Sequence, residues 1–286
     1  MNASEYPEHA LHVTEPDAGA AAMAELFLGI GFEINDEAGY NRLVEYVESN
    51  GLRSEIERGD ASLHGRCLKL GGGLEVWSVL YERGADLYYA DCRPAFRSRY
   101  ARHVSPWELI EYDEDGEALV RGALEDGREL VFELQNLTET NNRIFRESRL
   151  RVALAGIAYW AEVARAGRNP RRDGRFEAAD RLRDYADTAC ESDYVIDGLV
   201  LATREIANPL TGARLTWMLV DAGTMRVEVL ANQRAVRGEL SIGSAISAGV
   251  WLQGHVLGEE EVRARFEGVD PEHQIGDSWL NLRRGN

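Results

Sequence analysis

Residues 194–207 read YVIDGLVLATREIA, and residues 208–212 read NPLTG. The first run is rich in β-branched residues and carries one internal glycine, Gly198. The second is a turn: proline fixes φ, asparagine bonds its own backbone, and glycine takes left-handed geometry at little cost. Leu215–Val220 then gives a second strand, and Asp221-Ala-Gly223 a second turn. Thr224–Leu230 alternates Met225, Val227 and Val229 against Arg226 and Glu228, the period-2 pattern of a half-buried strand. Ala245–Val256 supplies a last β segment with Gly249 and Gly254. A long first strand, two hairpins and glycines at which strands can bend predict an OB-like barrel over 192–256.

Working outward, the strongest upstream signal is a β-meander at 107–134. Three alternating runs, Trp107–Tyr112, Glu117–Ala123 and Arg128–Leu134, are separated by turns ending in Gly116 and Gly127. Leu74–Leu80 and Asp86–Ala90 also read as strands, and Leu150–Trp160 is assigned to strand because Gly156 weakens a helix there. Asn35-Asp36-Glu37 offers an N-cap ahead of Leu43, Val44 and Val47, with Asn50-Gly51 as the stop, so a helix is expected over 36–49. A shorter helix is expected over Ala20–Leu28, and another within Arg175–Cys190.

These segments predict an α+β chain. Its parts are a lead-in at 1–19, a mixed domain of helices and antiparallel sheet at 20–165, and a linker with a short helix at 166–191. The OB-like barrel at 192–256 and a C-terminal extension at 257–286 follow. The extension holds Trp279-Leu-Asn-Leu282, which could dock on the body or on a second subunit.

Composition narrows the function classes. The net charge is −17, with the acidity concentrated upstream of residue 192. Such a field disfavours phosphate backbones and anionic membranes. Lys69 is the only lysine, and it precedes Gly71-Gly72-Gly73, so the order is wrong for a phosphate loop. The three cysteines, Cys67, Cys92 and Cys190, form no CxxC pair and point to a reducing, cytoplasmic compartment. The apolar stretch 20–32 carries Glu25 and is too short to span a bilayer. His9 and His12 lack the third and fourth ligands of a zinc site. Asp113-Glu-Asp-Gly116 lacks the frame of a calcium loop. No cofactor and no metal site are expected.

Asn208-Pro-Leu-Thr-Gly212, Trp217, Val250-Trp-Leu-Gln-Gly254 and the opening Phe27-Leu-Gly-Ile-Gly-Phe32 resemble the pattern of a family of bacterial proteins of unknown function. The resemblance implies no activity and transfers no functional residue.

Three readings of function follow. The first is a non-enzymatic binding or assembly module acting through protein contacts or self-association. The second is an enzyme whose site assembles near His64, Cys67 and Asp91, with Arg93 beside them. The third is single-stranded nucleic-acid or saccharide binding on the barrel face through Arg214, Trp217, Arg226 and Arg234. That face holds as many arginines as acids over 194–256 and few aromatics, which disfavours nucleic acid.

Overall fold

The computed structural model describes residues 26–112, 116–140, 147–164, 174–179 and 190–258. In chain order the strands are β1 (Leu52–Arg58), β2 (Ala61–Gly71), β3 (Leu74–Arg83), β4 (Asp86–Phe96), β5 (Ala101–Tyr112), β6 (Glu117–Leu124) and β7 (Glu129–Leu134). Then come β8 (Leu150–Val163), β9 (Arg175–Ala178), β10 (Asp193–Ala207), β11 (Arg214–Asp221), β12 (Arg226–Asn232), β13 (Val236–Arg237) and β14 (Ala245–Val256). A helix, Glu37–Asn50, precedes them.

The α+β expectation is corrected. Among the described residues the chain is mostly strand, and one helix longer than a single turn serves as a cover, not as part of a helical domain. Its N-cap is Asp36, whose Oδ1 accepts from the Gly39 N–H at 2.6 Å. Its buried residues, Leu43 and Val47, pack with Leu68, Val76, Cys92 and Phe96 of the small sheet β1–β2–β3–β4. Arg175–Ala178 is a strand beside β10, where a helix was expected. Residues 180–189 of that segment, the lead-in and most of the C-terminal extension lie outside the described residues.

The expected OB-like barrel does not close on the strands of 192–256 alone. β10, β11 and β12 form an antiparallel meander, and β14 returns beside β10. The ring is completed by β8, which runs parallel to β12 and antiparallel to β14. Another ring, the first in chain order, uses the same two strands, so that the β10–β12 ring is the second. β5, β6 and β7 form a meander, β5 pairs with β8, and β7 runs parallel to β14 at Glu133↔Gln253. Each ring is therefore a meander closed by the β8–β14 pair. Exchanging β8 with β14 turns one topology into the other.

The shared pair spans Ile246↔Val163 to Val256↔Val152, the longest interface of the fold. Side chains must thin where two rings meet. A Cβ at Gly254 would run into the ring of Phe132, so this position needs a hydrogen. One continuous apolar cluster fills both rings, with Val120, Phe132 and Leu150 from one and Met218, Val229 and Ile246 from the other. Ile56, Leu63 and Val79 of the small sheet join that cluster from outside.

Candidate functional site

Side chains alternate across a strand, and this separates the first set of predicted site residues. His64 and Cys67 lie three apart on β2, so they face opposite sides of the small sheet. His64 is on the outer face, 2.6 Å from Glu82 Oε2, beside a shallow pocket of about 450 Å3 that Arg53 and Arg66 also line. Cys67 is on the inner face, buried with Trp77 and Ala95. Asp91 and Arg93 are also on the inner face, where Arg93 pairs in register with Trp77. The four residues do not converge. Cys92 is fully buried, and burial with the charge of Asp91 pushes its thiol well above the ordinary range, so it stays protonated at neutral pH.

Asp91 and Arg93 belong to a different arrangement. The segment from Asp91 to Arg99 runs as a strap between the small sheet and the two rings. Gln253, on the shared strand β14, holds its backbone from both sides. Oε1 accepts from the Phe96 N–H at 3.0 Å, and Nε2 donates to the Pro94 carbonyl at 3.1 Å. One end of the strap reaches the first ring: Arg93 Nη2 donates to the Gly116 carbonyl at 3.0 Å, and Nη1 lies 3.7 Å from Glu133 Oε1. The other end reaches the second ring, where the Arg99 N–H donates to Glu228 Oε2 at 3.0 Å. Arg97 sits 3.7 Å from Glu75, which accepts from Trp77 Nε1.

Glu133 is the electrostatic outlier of this layer. Burial pushes its carboxyl up to about 8, opposed by the Arg93 guanidinium and reinforced by the charges of Glu117 and Asp91. It is therefore largely protonated at neutral pH. Asp193 is also held above the usual carboxylate range by burial, against bonds from the Cys190 N–H and the Tyr159 hydroxyl, each at 2.8 Å.

An aromatic-lined groove lies where the rings splay. β7 and β10 both border β14, β10 along residues 245–251 and β7 at residues 253–254. Beyond that point β7 diverges, leaving a wedge of about 570 Å3. Phe176 and Tyr194 line it as a stacked pair, with centroids 4.5 Å apart and planes at 22°. The Tyr194 hydroxyl accepts from the Val131 N–H at 2.9 Å. Trp107 lines the wedge while remaining 54% exposed. The cause is local. The β5–β6 register steps from Pro106↔Gly122 to Glu108↔Arg121, so Trp107 is the extra residue of a bulge, which re-aims its side chain.

The barrel-face set is placed as follows. Trp217 is buried in the cluster beneath the helix, with Arg204 over its ring at 5.1 Å. Arg214 pairs with Glu205, Arg226 with Asp221 at 3.6 Å, and Arg234 with Glu33 at 2.9 Å. Arg214 and Arg226 begin consecutive antiparallel strands, which sets them at opposite ends of the β11–β12 hairpin. The sequence reading missed Trp107 and Phe176 as groove residues and Glu133 as a buried carboxyl. Pro106, just ahead of the run that begins at Trp107, is the one local sign of the bulge.

The pairings define a mostly β protein of two rings interlocked through a shared strand pair, capped by a four-stranded sheet. No family model matches the chain, and no curated protein does. Among solved structures, a hypothetical protein from Chlamydia trachomatis aligns over 73% of this chain and 90% of its own at 6% identity. Its TM-score of 0.13 is too low to carry an argument about fold or function.

Proposed function

We propose that the protein is a non-enzymatic binding or assembly module, and that the wedge between β7 and β10 takes up a segment of another protein. The observation behind this reading is the bulge that turns Trp107 outward over a groove containing the stacked Phe176 and Tyr194. A half-exposed tryptophan beside a lined groove is the composition of an interface anchor, since aromatic residues supply large contact area at low entropic cost. The three cysteines are free thiols, which supports a cytoplasmic setting.

Selection of a displayed random-peptide library on the full chain tests this. Enriched peptides should bind the wild-type protein and lose about tenfold or more in affinity to Trp107→Ala, as expected for an anchor residue. Failure to enrich any peptide, or equal binding to Trp107→Ala, would overturn it. Trp107-dependent binding on a glycan array, with no peptide binder, would overturn it in favour of a saccharide ligand.

A further inference from the structure

We infer that the wedge receives a basic, extended strand that adds to the outer edge of β7. This rests on the reading of the wedge as a protein-binding groove, and it commits to the chemistry of what enters.

The first argument is the backbone of β7. The Leu124 N–H donates to the Arg128 carbonyl at 2.8 Å across the β6–β7 turn. The register continues as Gly122↔Leu130 and Val120↔Phe132. Ladder bonds alternate in an antiparallel pair, so the amides of Leu130 and Phe132 face β6, and those of Glu129, Val131 and Glu133 face away. The outward set agrees with what the edge touches. Glu133 sits opposite Gln253 of β14, and the Val131 N–H meets the Tyr194 hydroxyl. A phenol thus stands on one rung where a neighbouring strand would place a carbonyl. Among the described residues no strand pairs with the outward groups of Glu129. Open edges of this kind recognise extended backbone, whatever its side chains.

The second argument is charge. The arginines of the groove are already matched. Arg121 is bound by Glu108 at 2.7 Å and by Glu191 at 2.6 Å, and Arg128 by Asp126 at 2.6 Å. Glu129 and Glu177 also line the wedge and make no ion pair among the described residues. Two carboxylates unmatched among the described residues, beside an aromatic surface, call for a segment that alternates Lys or Arg with apolar residues. Alternation is what a strand presents to two sides.

The test uses fluorescein-labelled seven-residue peptides titrated into the full chain by anisotropy: one alternating Lys and Val, one alternating Glu and Val, and the Lys/Val peptide N-methylated at every second residue. The Lys/Val peptide should bind, weaken with added salt, and lose about tenfold or more on N-methylation, which deletes several backbone donors. The Glu/Val peptide should bind at least about tenfold more weakly. Glu129→Gln with Glu177→Gln should cost the Lys/Val peptide about threefold to tenfold, the scale of two exposed ion pairs. Glu129→Pro, which removes an outward N–H without touching the β6 ladder, should weaken it further. If Trp107-dependent peptides bind but ignore N-methylation, the strand is overturned and the groove reading survives. If the Glu/Val peptide binds as well, the basic character is overturned. If no peptide binding depends on Trp107, both readings fall. A concentration-dependent dimer of the protein alone, abolished by Glu129→Pro, would make the occupant a second copy and overturn the basic partner.

Discussion

The Arg93 guanidinium and the Glu133 carboxyl face each other at 3.7 Å across the junction of the small sheet and the first ring, and both are buried. Arg93 also lies 3.6 Å from Asp91, so two carboxyls compete for one cation. Ionising Glu133 as well would place a further charge in a medium that solvates it poorly, and burial keeps the proton on it.

A pH dependence follows, and its sign is fixed. Unfolded, Glu133 titrates near 4.5; folded, near 8. Between those values the folded chain holds a proton that the unfolded chain has released. Stability therefore falls as pH rises from about 5 to 8, by at most about 1.4 kcal/mol per pH unit from this one group, and the dependence flattens above 8. Asp193, held above its usual range by burial, adds a slope of the same sign. Glu133→Gln fixes the neutral shape. Its urea-unfolding free energy, minus that of the wild type, should climb across the window. A difference that is flat from pH 5 to 8 would show that Glu133 is ionised throughout.

Gln253 gives a second expectation. It bonds the strap at Phe96 and Pro94 from the strand common to both rings. Gln253→Leu conserves bulk but strands one buried N–H and one buried carbonyl, at about 1–3 kcal/mol each. The midpoint of chemical unfolding should fall accordingly, and hydrogen exchange should rise at the Phe96 amide. Unchanged protection of that amide would mean that the strap is held by other contacts.

Much of the local structure was legible because strands and turns leave short-range marks. β6, β7, β8, β14 and the helix behind Asp36 fall within a few residues of their expected places, while β5 begins six residues before the expected Trp107. Ring closure was not legible. The β12–β8 and β7–β14 pairs are parallel and join residues far apart in the chain, and no alternation pattern encodes which strand a free edge will meet. The buried charges were hidden for a related reason. Asp91 and Arg93 sit two apart on a strand, the signature of a solvated face, and only the stacking of a second layer removes that face from water. Two segments far apart in the sequence, Phe27–Phe32 and Asn208–Gly212, touch in the fold.

That contact is a prediction in itself. Asn208, fully buried, donates through Nδ2 to the Ile30 carbonyl at 2.8 Å, while its Oδ1 accepts from Leu210 and Thr211. The Thr211 hydroxyl donates to the Gly31 carbonyl at 2.7 Å. The NPLTG turn thus clamps the glycine-rich opening onto the second ring. Asn208→Ala should cost about 2–4 kcal/mol by urea unfolding, since it orphans groups on both partners. Thr211→Ser, which keeps the hydroxyl, should cost far less than Thr211→Val. Equal losses for that pair would assign the effect to packing alone.

The last expectation ties the fold to the groove. A Cβ at Gly122 would lie 2.7 Å from Val104 Cγ1 and 2.9 Å from the Ser105 carbonyl oxygen. Gly122 stands opposite Pro106, immediately before the bulge that turns Trp107 outward. Glycine here lets β6 approach closely enough for the extra residue to be accommodated on β5. Gly122→Ala should destabilise the chain by about 1–3 kcal/mol, the scale of overpacking. Trimming Val104 to Ala in the same chain should recover only part of that, because the Ser105 carbonyl cannot retreat without moving the bulge. If the bulge positions the anchor, Gly122→Ala should also weaken peptide binding in the wedge under conditions where the protein remains folded by circular dichroism. A destabilised protein that binds with wild-type affinity would separate the bulge from the groove and leave Gly122 a packing residue.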